Sequence, residues 1–228
     1  MKRHNVAFLF ISCCIAALFL PSSDKVSAEH HGRYYYEERG EVVWEVSTDQ
    51  KVIALTFDDG PNPEYTPQVL DVLKQHQAKA TFFVIGSRIE QYPELAQREV
   101  REGHELANHS YHHPGMTRIS AEKLREEIEQ AQNVIVSATG QTPKAFRPPG
   151  GVYNDKVVNT AKQAGYMVVM WTWNQDTRDW RRPGVRKIVD QVLSNAHNGS
   201  IVLFHDHGGD RSQTVNALTE ILPELKKR

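Results

Sequence analysis

Seven short apolar runs, none longer than seven residues, alternate with longer amphipathic stretches along this 228-residue chain, and that alternation leaves few folds open. The runs fall at 42–46, 52–57, 80–85, 105–108, 145–146, 167–173 and 200–204. Runs of this length, bounded by turn residues, suit buried strands and are too short for helices. Between most of them, residues 67–77, 93–103, 120–140, 155–165, 183–198 and 213–227 place apolar side chains three and four apart, the spacing of a one-sided helix. In the longest of these, Ser120 is placed to cap, with Glu126 and Glu127 in the first turns. A strand repeatedly followed by a helix demands parallel pairing through crossovers, so the expected class is α/β with a largely parallel sheet, open or closed as a barrel.

The beginning of the chain reads differently. Met1-Lys2-Arg3-His4-Asn5 precedes an apolar stretch from Val6 to Leu20, broken only by Ser12, and the small-residue site Val26-Ser27-Ala28 follows. This is the pattern of a secretory signal peptide, residues 1–28, cleaved after Ala28. An uncleaved anchor is the competing reading, but the apolar stretch falls short of the ~20 residues that span a bilayer. Cys13 and Cys14 are the only cysteines and both lie in this stretch, so the remaining chain has no disulfide or thiolate ligand and must hold any metal with His, Asp or Glu. Taking Lys2, Arg3, Lys25 and Asp24 out of 27 basic and 28 acidic residues leaves 24 and 27, a net charge near -3. Nothing in that balance suits nucleic acid or an anionic membrane surface. The rest reads as one domain and a monomer: 29–50 a leader and first strand, with 29–39 loosely held, and 51–228 the principal domain.

Polar clusters stand at the ends of successive runs: Asp58-Asp59, His109 to His113, Arg147 to Gly151, Asp176 to Trp180, and His205-Asp206. In a barrel such ends converge on one face, where catalytic groups gather, which favours a barrel over an open sheet. Two adjacent carboxylates at the mouth of an apolar run repel each other and lose hydration, so a cation is expected beside them. The alternative is an Asp-Gly-Pro turn closing a strand. His109 and His113, four apart, would share one face of a helical turn and, with a carboxylate, match a two-His-one-carboxylate catalytic zinc site. Asp59 is then the carboxylate ligand, Asp58 the base, and His112 points away.

Thr56-Phe57-Asp58-Asp59-Gly60, His109-Ser110-Tyr111-His112-His113-Pro114, Arg147-Pro148-Pro149-Gly150, Asp176-Thr177-Arg178-Asp179-Trp180 and Leu203-Phe204-His205-Asp206 resemble, in order, the five motifs of the polysaccharide deacetylases, the NodB-homology or carbohydrate esterase family 4 enzymes. The resemblance runs from about Lys51 to the end and implies a distorted (β/α) barrel of about seven strands. It also implies roles. Asp58 would be the general base, oriented by Arg147; Asp59, His109 and His113 would hold one divalent ion, zinc first, with cobalt, manganese or nickel as alternatives. His205 would be the general acid, held protonated by Asp179, while Trp180 and Leu203 would line the pocket for the acetyl methyl and a backbone N–H near Gly150 would serve the oxyanion. Many family members carry an aromatic residue where this chain has Gly150, so a more open cleft and a freer loop are expected. The implied activity is a secreted or wall-associated N-deacetylase releasing acetate from N-acetylhexosamine polymers: peptidoglycan, at its GlcNAc or MurNAc units, or chitin-like oligosaccharides. An O-acetyl esterase acting on acetylxylan and a catalytically silent carbohydrate-binding wall or spore protein are the alternatives.

Overall fold

The computed structural model describes residues 31–228, so the expected signal peptide and both cysteines lie outside the described residues. Strands β1 (Val42–Val43), β2 (Ala54–Asp58), β3 (Thr81–Val84), β4 (Glu105–Asn108), β5 (Ala145–Phe146), β6 (Met167–Val169) and β7 (Ile201–His205) form one sheet. Its order is β1-β6-β5-β4-β3-β2-β7 and every pair is parallel. Helices α1 (Arg33–Glu38), α2 (Tyr65–Gln75), α3 (Gly86–Gln91), α4 (Pro93–Arg101), α5 (Ala121–Thr139), α6 (Asp155–Gln163), α7 (Val185–Asn195) and α8 (Ser212–Lys227) surround it. The chain is thus the expected distorted (β/α) barrel, with seven strands in a curled sheet. Irregular backbone bridges its two edges: Thr172 N–H donates to the Ile201 carbonyl (3.0 Å), Leu203 N–H to Gln175 (2.9 Å), and Val46 N–H to Gly199 just before β7 (3.0 Å).

Parallel strands all end at the same rim, and the two-residue period of each strand decides which side chains reach the interior. Phe57, Phe82 and Phe204, on adjacent strands, stack at 5.2 and 5.4 Å between ring centroids and pack with Val69, Leu70 and Leu73 of α2 and Leu218 and Ile221 of α8. Each such ring, fully buried, contributes about 1.5–3 kcal/mol. Their neighbours Thr56, Asp58 and Phe83 therefore face the other way, into the barrel. In the register Asp58 lies opposite both Phe83 and His205, so two residues 147 positions apart become strand neighbours. A second core joins Phe146 and Val168 to α5 and α6.

Two expectations change. The segment read as a loose leader contains α1, whose Tyr36 is buried and donates its hydroxyl to Asp155 Oδ1 at 2.7 Å, with its ring edge-on to Tyr153. Six residues are too few to show helical periodicity, and only the packing reveals which of three consecutive tyrosines points inward. Helix α3 was likewise invisible, a single short turn-and-a-half tucked under the His109–His113 segment, with Gly86 and Ser87 N–H groups bonded to Ser110 and Tyr111 carbonyls (both 3.0 Å). Helix α5 has the expected cap: Ser120 Oγ accepts from Lys123 N–H at 3.1 Å.

Glu99 of α4 is fully buried, and neither carboxyl oxygen has a hydrogen-bond partner among the described residues. Burial, with the nearby Asp206 charge, holds its pKa well above the usual carboxylate value. An acid raised in this way costs stability as pH climbs past the unfolded-state value near 4.5. Glu99→Met, similar in volume and without the buried polar group, should therefore raise Tm at pH 7 by several degrees, on the order of 1–2 kcal/mol, and the gain should shrink at about pH 4. Thermal melts at the two pH values check it, and an unchanged or lower Tm at pH 7 would contradict it.

Candidate active site

Four strand ends deliver the site. Strand β2 ends at Asp58, and Asp59 follows with φ at 79°, a left-handed conformation unusual for a residue with a side chain. Gly60 then lies so close to the Asp206 carboxylate that any Cβ there would collide with it. The two carboxylates are thereby turned apart. Asp58 accepts from Arg147 Nη1 at 2.7 Å, whereas Asp59 Oδ1 lies 3.5 Å from His109 Nε2 and 3.4 Å from His113 Nε2. Burial acts to raise Asp59, but the surrounding histidines His109, His205 and His113 outweigh it and hold the carboxyl well below its usual range.

The two histidines meet by a route other than the expected helical turn. Residues 109–113 form an irregular turn with Ser110 at φ 66° and His113 at φ 59°. Asn108 Oδ1 accepts from Ser110 N–H (2.8 Å) and Ser110 Oγ from His113 N–H (3.1 Å). Glu127 of α5 takes the N–H groups of Tyr111 and His112 (3.1 and 2.7 Å) and His112 Nδ1 (2.9 Å), so His112 points away from the site. His109 Nδ1 sits 2.7 Å from the Arg147 carbonyl, which fixes that nitrogen as the donor and leaves Nε2 free to ligate. Burial, followed by the neighbouring His109, lowers the His113 pKa and keeps that ring neutral, as a ligand must be. The ligating atoms of Asp59, His109 and His113 all lie within 4.8 Å of one another. Two imidazoles and one carboxylate, with His109 oriented through Nδ1 by the Arg147 carbonyl, fit a divalent ion such as zinc.

Arg147, the residue after β5, is completely buried. Its guanidinium donates to Asp58 Oδ1, to Thr56 Oγ1 (2.9 Å) and to the carbonyls of Val169 and Met170 (3.0 and 2.7 Å), and it lies 3.9 Å from the centroid of the Phe83 ring. It orients Asp58 and at the same time pins the end of β6.

His205 ends β7. Its Nδ1 is 2.7 Å from Asp179 Oδ1, and its backbone N–H donates to Asp179 Oδ2 (2.8 Å), which also accepts from Thr214. Burial alone would lower this histidine, but the Asp179 carboxylate dominates the opposing contributions and carries His205 up to about 9. The same contacts hold Asp179 below the carboxylate range despite its burial. An imidazolium is therefore favoured at neutral pH near the carboxylates of Asp58 and Asp59.

A polysaccharide deacetylase family model matches residues 45–169, more than half of the chain. The chain belongs to the polysaccharide deacetylase family. It is 53% identical over 192 residues to a peptidoglycan-N-acetylglucosamine deacetylase of Bacillus cereus, covering 84% of this chain and 90% of that one. It is 45% identical over 188 residues to a chitooligosaccharide deacetylase of Bradyrhizobium sp., covering 77% and 85%. Among solved structures it is similar to a peptidoglycan N-acetylglucosamine deacetylase in complex with an N-hydroxybenzamide, with a TM-score of 0.82 and 34% identity over 86% of this chain and 92% of that one.

In this polysaccharide deacetylase fold, Asp58, Asp59, His109, His113, Gly150, Trp180, Leu203 and His205 all line one cavity of about 430 Å³. Arg147 and Asp179 stand behind it, each touching a residue that does. Leu203 is buried at the cavity floor and Trp180 half-exposed at its edge. Gly150, with φ at 65°, has no atom within 4 Å of where a Cβ would stand, so the cleft is open at this point. Gly151 is different, because a Cβ there would come within 2.5 Å of Trp171, so the second glycine packs against an indole. Three residues escaped the sequence reading. Glu127 looked like a helix-dipole carboxylate but anchors the histidine turn; Trp171 was read only as part of a strand-like run; and Arg211, buried and bonded to the His207 and Gly208 carbonyls (2.8 and 2.6 Å), shapes the loop after β7. Only Arg211 had no sequence signal of any kind. Asp206 lies under the Asp59-Gly60 turn, bonded to Thr66, and burial raises it to about 7.

Proposed function

We propose that the protein is an exported, metal-dependent N-deacetylase that hydrolyses the acetamide of N-acetylhexosamine units in peptidoglycan, with chitin-like oligosaccharides as secondary substrates. The observation that carries this reading is the joint placement of a buried base carboxylate, a cluster of one carboxylate and two imidazoles, and a protonated histidine around one cavity. Relatives named for peptidoglycan and for chitooligosaccharide deacetylation support the substrate class. The basic start and apolar run of residues 1–28 support export.

Asp59, His109 and His113 would hold the divalent ion, which when bound supplies Lewis acidity to a carbonyl oxygen and makes a water more acidic. Asp58, held by Arg147, takes a proton from the attacking water. A backbone N–H near Gly150 would donate to the developing oxyanion. His205 gives its proton to the amide nitrogen, which must leave as a neutral amine because an amine anion is a very poor leaving group. The carbon–nitrogen bond breaks, a carbon–oxygen bond forms, and the proton gained by Asp58 balances the one lost by His205. Leu203 and Trp180, which line the cavity, would bound the acetyl methyl and so favour acetyl over larger acyl groups.

The test is acetate release by protein recovered from the medium, whose N-terminus should be Glu29, on peptidoglycan, chitooligosaccharides and acetylxylan. Acetate is expected from the first two, lost with a chelator and restored by zinc. Release from acetylxylan alone would replace this reading with an esterase, and glycan binding without acetate from any polymer would replace it with a carbohydrate-binding protein.

A further inference from the structure

Beside the catalytic cavity lies a larger one of about 770 Å³ that no step of deacetylation uses. Gly151, Trp171 and Asp176 line both, so the two are joined across a shared wall. Its size is that of a site for a sugar-sized ligand. Trp173 stands at it with 79% of its surface exposed, an indole face left in water on a protein whose other tryptophans are at least half covered. An exposed indole lining a cavity offers a flat apolar face on which a ring can stack.

The charge of this second cavity departs from that of the chain, which is net -1 overall. Arg33, Arg178, Arg181 and Lys187 line it against one carboxylate, Asp176. Arg33 is already neutralised by Glu37 at 2.6 Å. The other three are not. Arg178 reaches Asp176 only at 3.9 Å, Arg181 lies over the Trp180 ring at 4.5 Å, and the Lys187 side chain is exposed. Uncompensated cations beside an aromatic platform suit a ligand with a ring to stack and a carboxylate to pair.

We propose that this second cavity is a subsite for a sugar unit bearing a carboxylate substituent, next to the unit whose acetamide is cleaved. Its position relative to the reacting unit rests on the deacetylase reading; its ligand chemistry does not. In peptidoglycan the carboxylate belongs either to the lactyl ether of muramic acid or to a peptide attached to it, whereas chitin offers none. The subsite thus selects the anionic polymer over the neutral one, by electrostatics that salt weakens.

The experiment measures calorimetric binding of three tetrasaccharides to the zinc-loaded protein in an Asp58→Asn background that slows turnover: chitotetraose, the alternating muramic acid tetramer with free lactyl carboxylates, and the same tetramer carrying peptides. Arg178→Gln with Lys187→Gln removes two exposed charges and leaves the Arg181–Trp180 stack in place. Exposed pairs are individually weak, so the pair of substitutions should raise Kd for a carboxylate-bearing tetramer by about fivefold, and for chitotetraose by less than about twofold. A loss confined to the peptide-bearing tetramer assigns the carboxylate to the peptide; one confined to the free-lactyl tetramer assigns it to the lactyl group, which the attached peptide converts to an amide; and a loss on both shows that the subsite accepts either carboxylate. Equal weakening of all three ligands, or no change on any, overturns the subsite. The same comparison in kcat/KM without Asp58→Asn guards against a background variant that fails to fold. If the wild type releases no acetate from any tetramer but the binding difference persists, the deacetylase reading falls and the subsite stands.

Discussion

Asp58→Asn lowers the rate of acetate release by about 10²–10⁴-fold, the usual contribution of a general base, while the protein still binds about one equivalent of zinc. The reasoning is geometric. Asn keeps the shape of Asp and an oxygen for Arg147 Nη1, which now reaches Asp58 Oδ1 at 2.7 Å, but it cannot take a proton. The cation cluster uses Asp59, His109 and His113 and so loses no ligand. Removing the carboxylate also leaves a fully buried guanidinium with no counter-charge, an imbalance of about 3–5 kcal/mol when one partner of a buried pair is lost. Thr56 Oγ1 and the carbonyls of Val169 and Met170 remain to absorb part of it. The variant should therefore melt lower, and rates must be taken well below its Tm. Metal analysis and initial rates together decide: a variant retaining a tenth of the wild-type rate removes Asp58 as the base, and one that loses its zinc moves Asp58 into the ligand set.

The second large effect is on the pH profile. Asp179 carries the buried His205 from an ordinary histidine value up to about 9. A raised folded-state value means that the proton is held throughout the neutral range, and that the stabilisation from the His205–Asp179 pair is complete below about 6.5 and lost as pH rises through about 9. Activity that needs the protonated acid falls on the same alkaline side. In Asp179→Asn only the opposing effect of burial and the weaker attraction of the site carboxylates remain, so the alkaline limb should move down by about two pH units and kcat at pH 8 should drop by about tenfold. A dication held by Asp59 and the two histidines lowers His205 in both proteins, so the separation of the profiles is the diagnostic quantity. Superimposable profiles would show that His205 is not the titrating acid.

Much of this was legible in the chain. The strand-like runs fell within a few residues of β1 to β7 because each is a short apolar stretch with a turn at its end, and strand boundaries are set by those local signals. The polar clusters were legible for a related reason: Asp58, His109, Arg147 and His205 each stand at or just after the end of a run, and parallel strands bring such ends to one rim. What was not legible depended on contacts without local pattern. The i,i+4 spacing of His109 and His113 predicts a helical turn, but Ser110 and His113 take left-handed conformations because Asn108 and Glu127 capture the backbone N–H groups between them. Tyr36 is buried because Tyr153 and Asp155 receive it, two residues more than a hundred positions away. Gly151 is required by Trp171, which no reading of Gly150-Gly151 as a loose pair could show.

By itself the sequence determined the α/β class, the parallel sheet, the absence of thiol ligands outside the first 28 residues and the set of groups gathered at one end of the barrel. These follow from short-range periodicity and composition, which the chain carries at every point. Only the tertiary structure decided which partners the two carboxylates of the Asp58-Asp59 doublet meet: a buried guanidinium from the residue after β5 for one, two imidazoles from the turn after β4 for the other. It also decided how closely Asp179 meets His205, and with it that the Asp179 charge outweighs burial and raises the histidine. The cationic cavity beside the cleft was equally hidden, because Trp173, Arg178 and Lys187 lie on separate segments whose charges have a common target only after the sheet has curled.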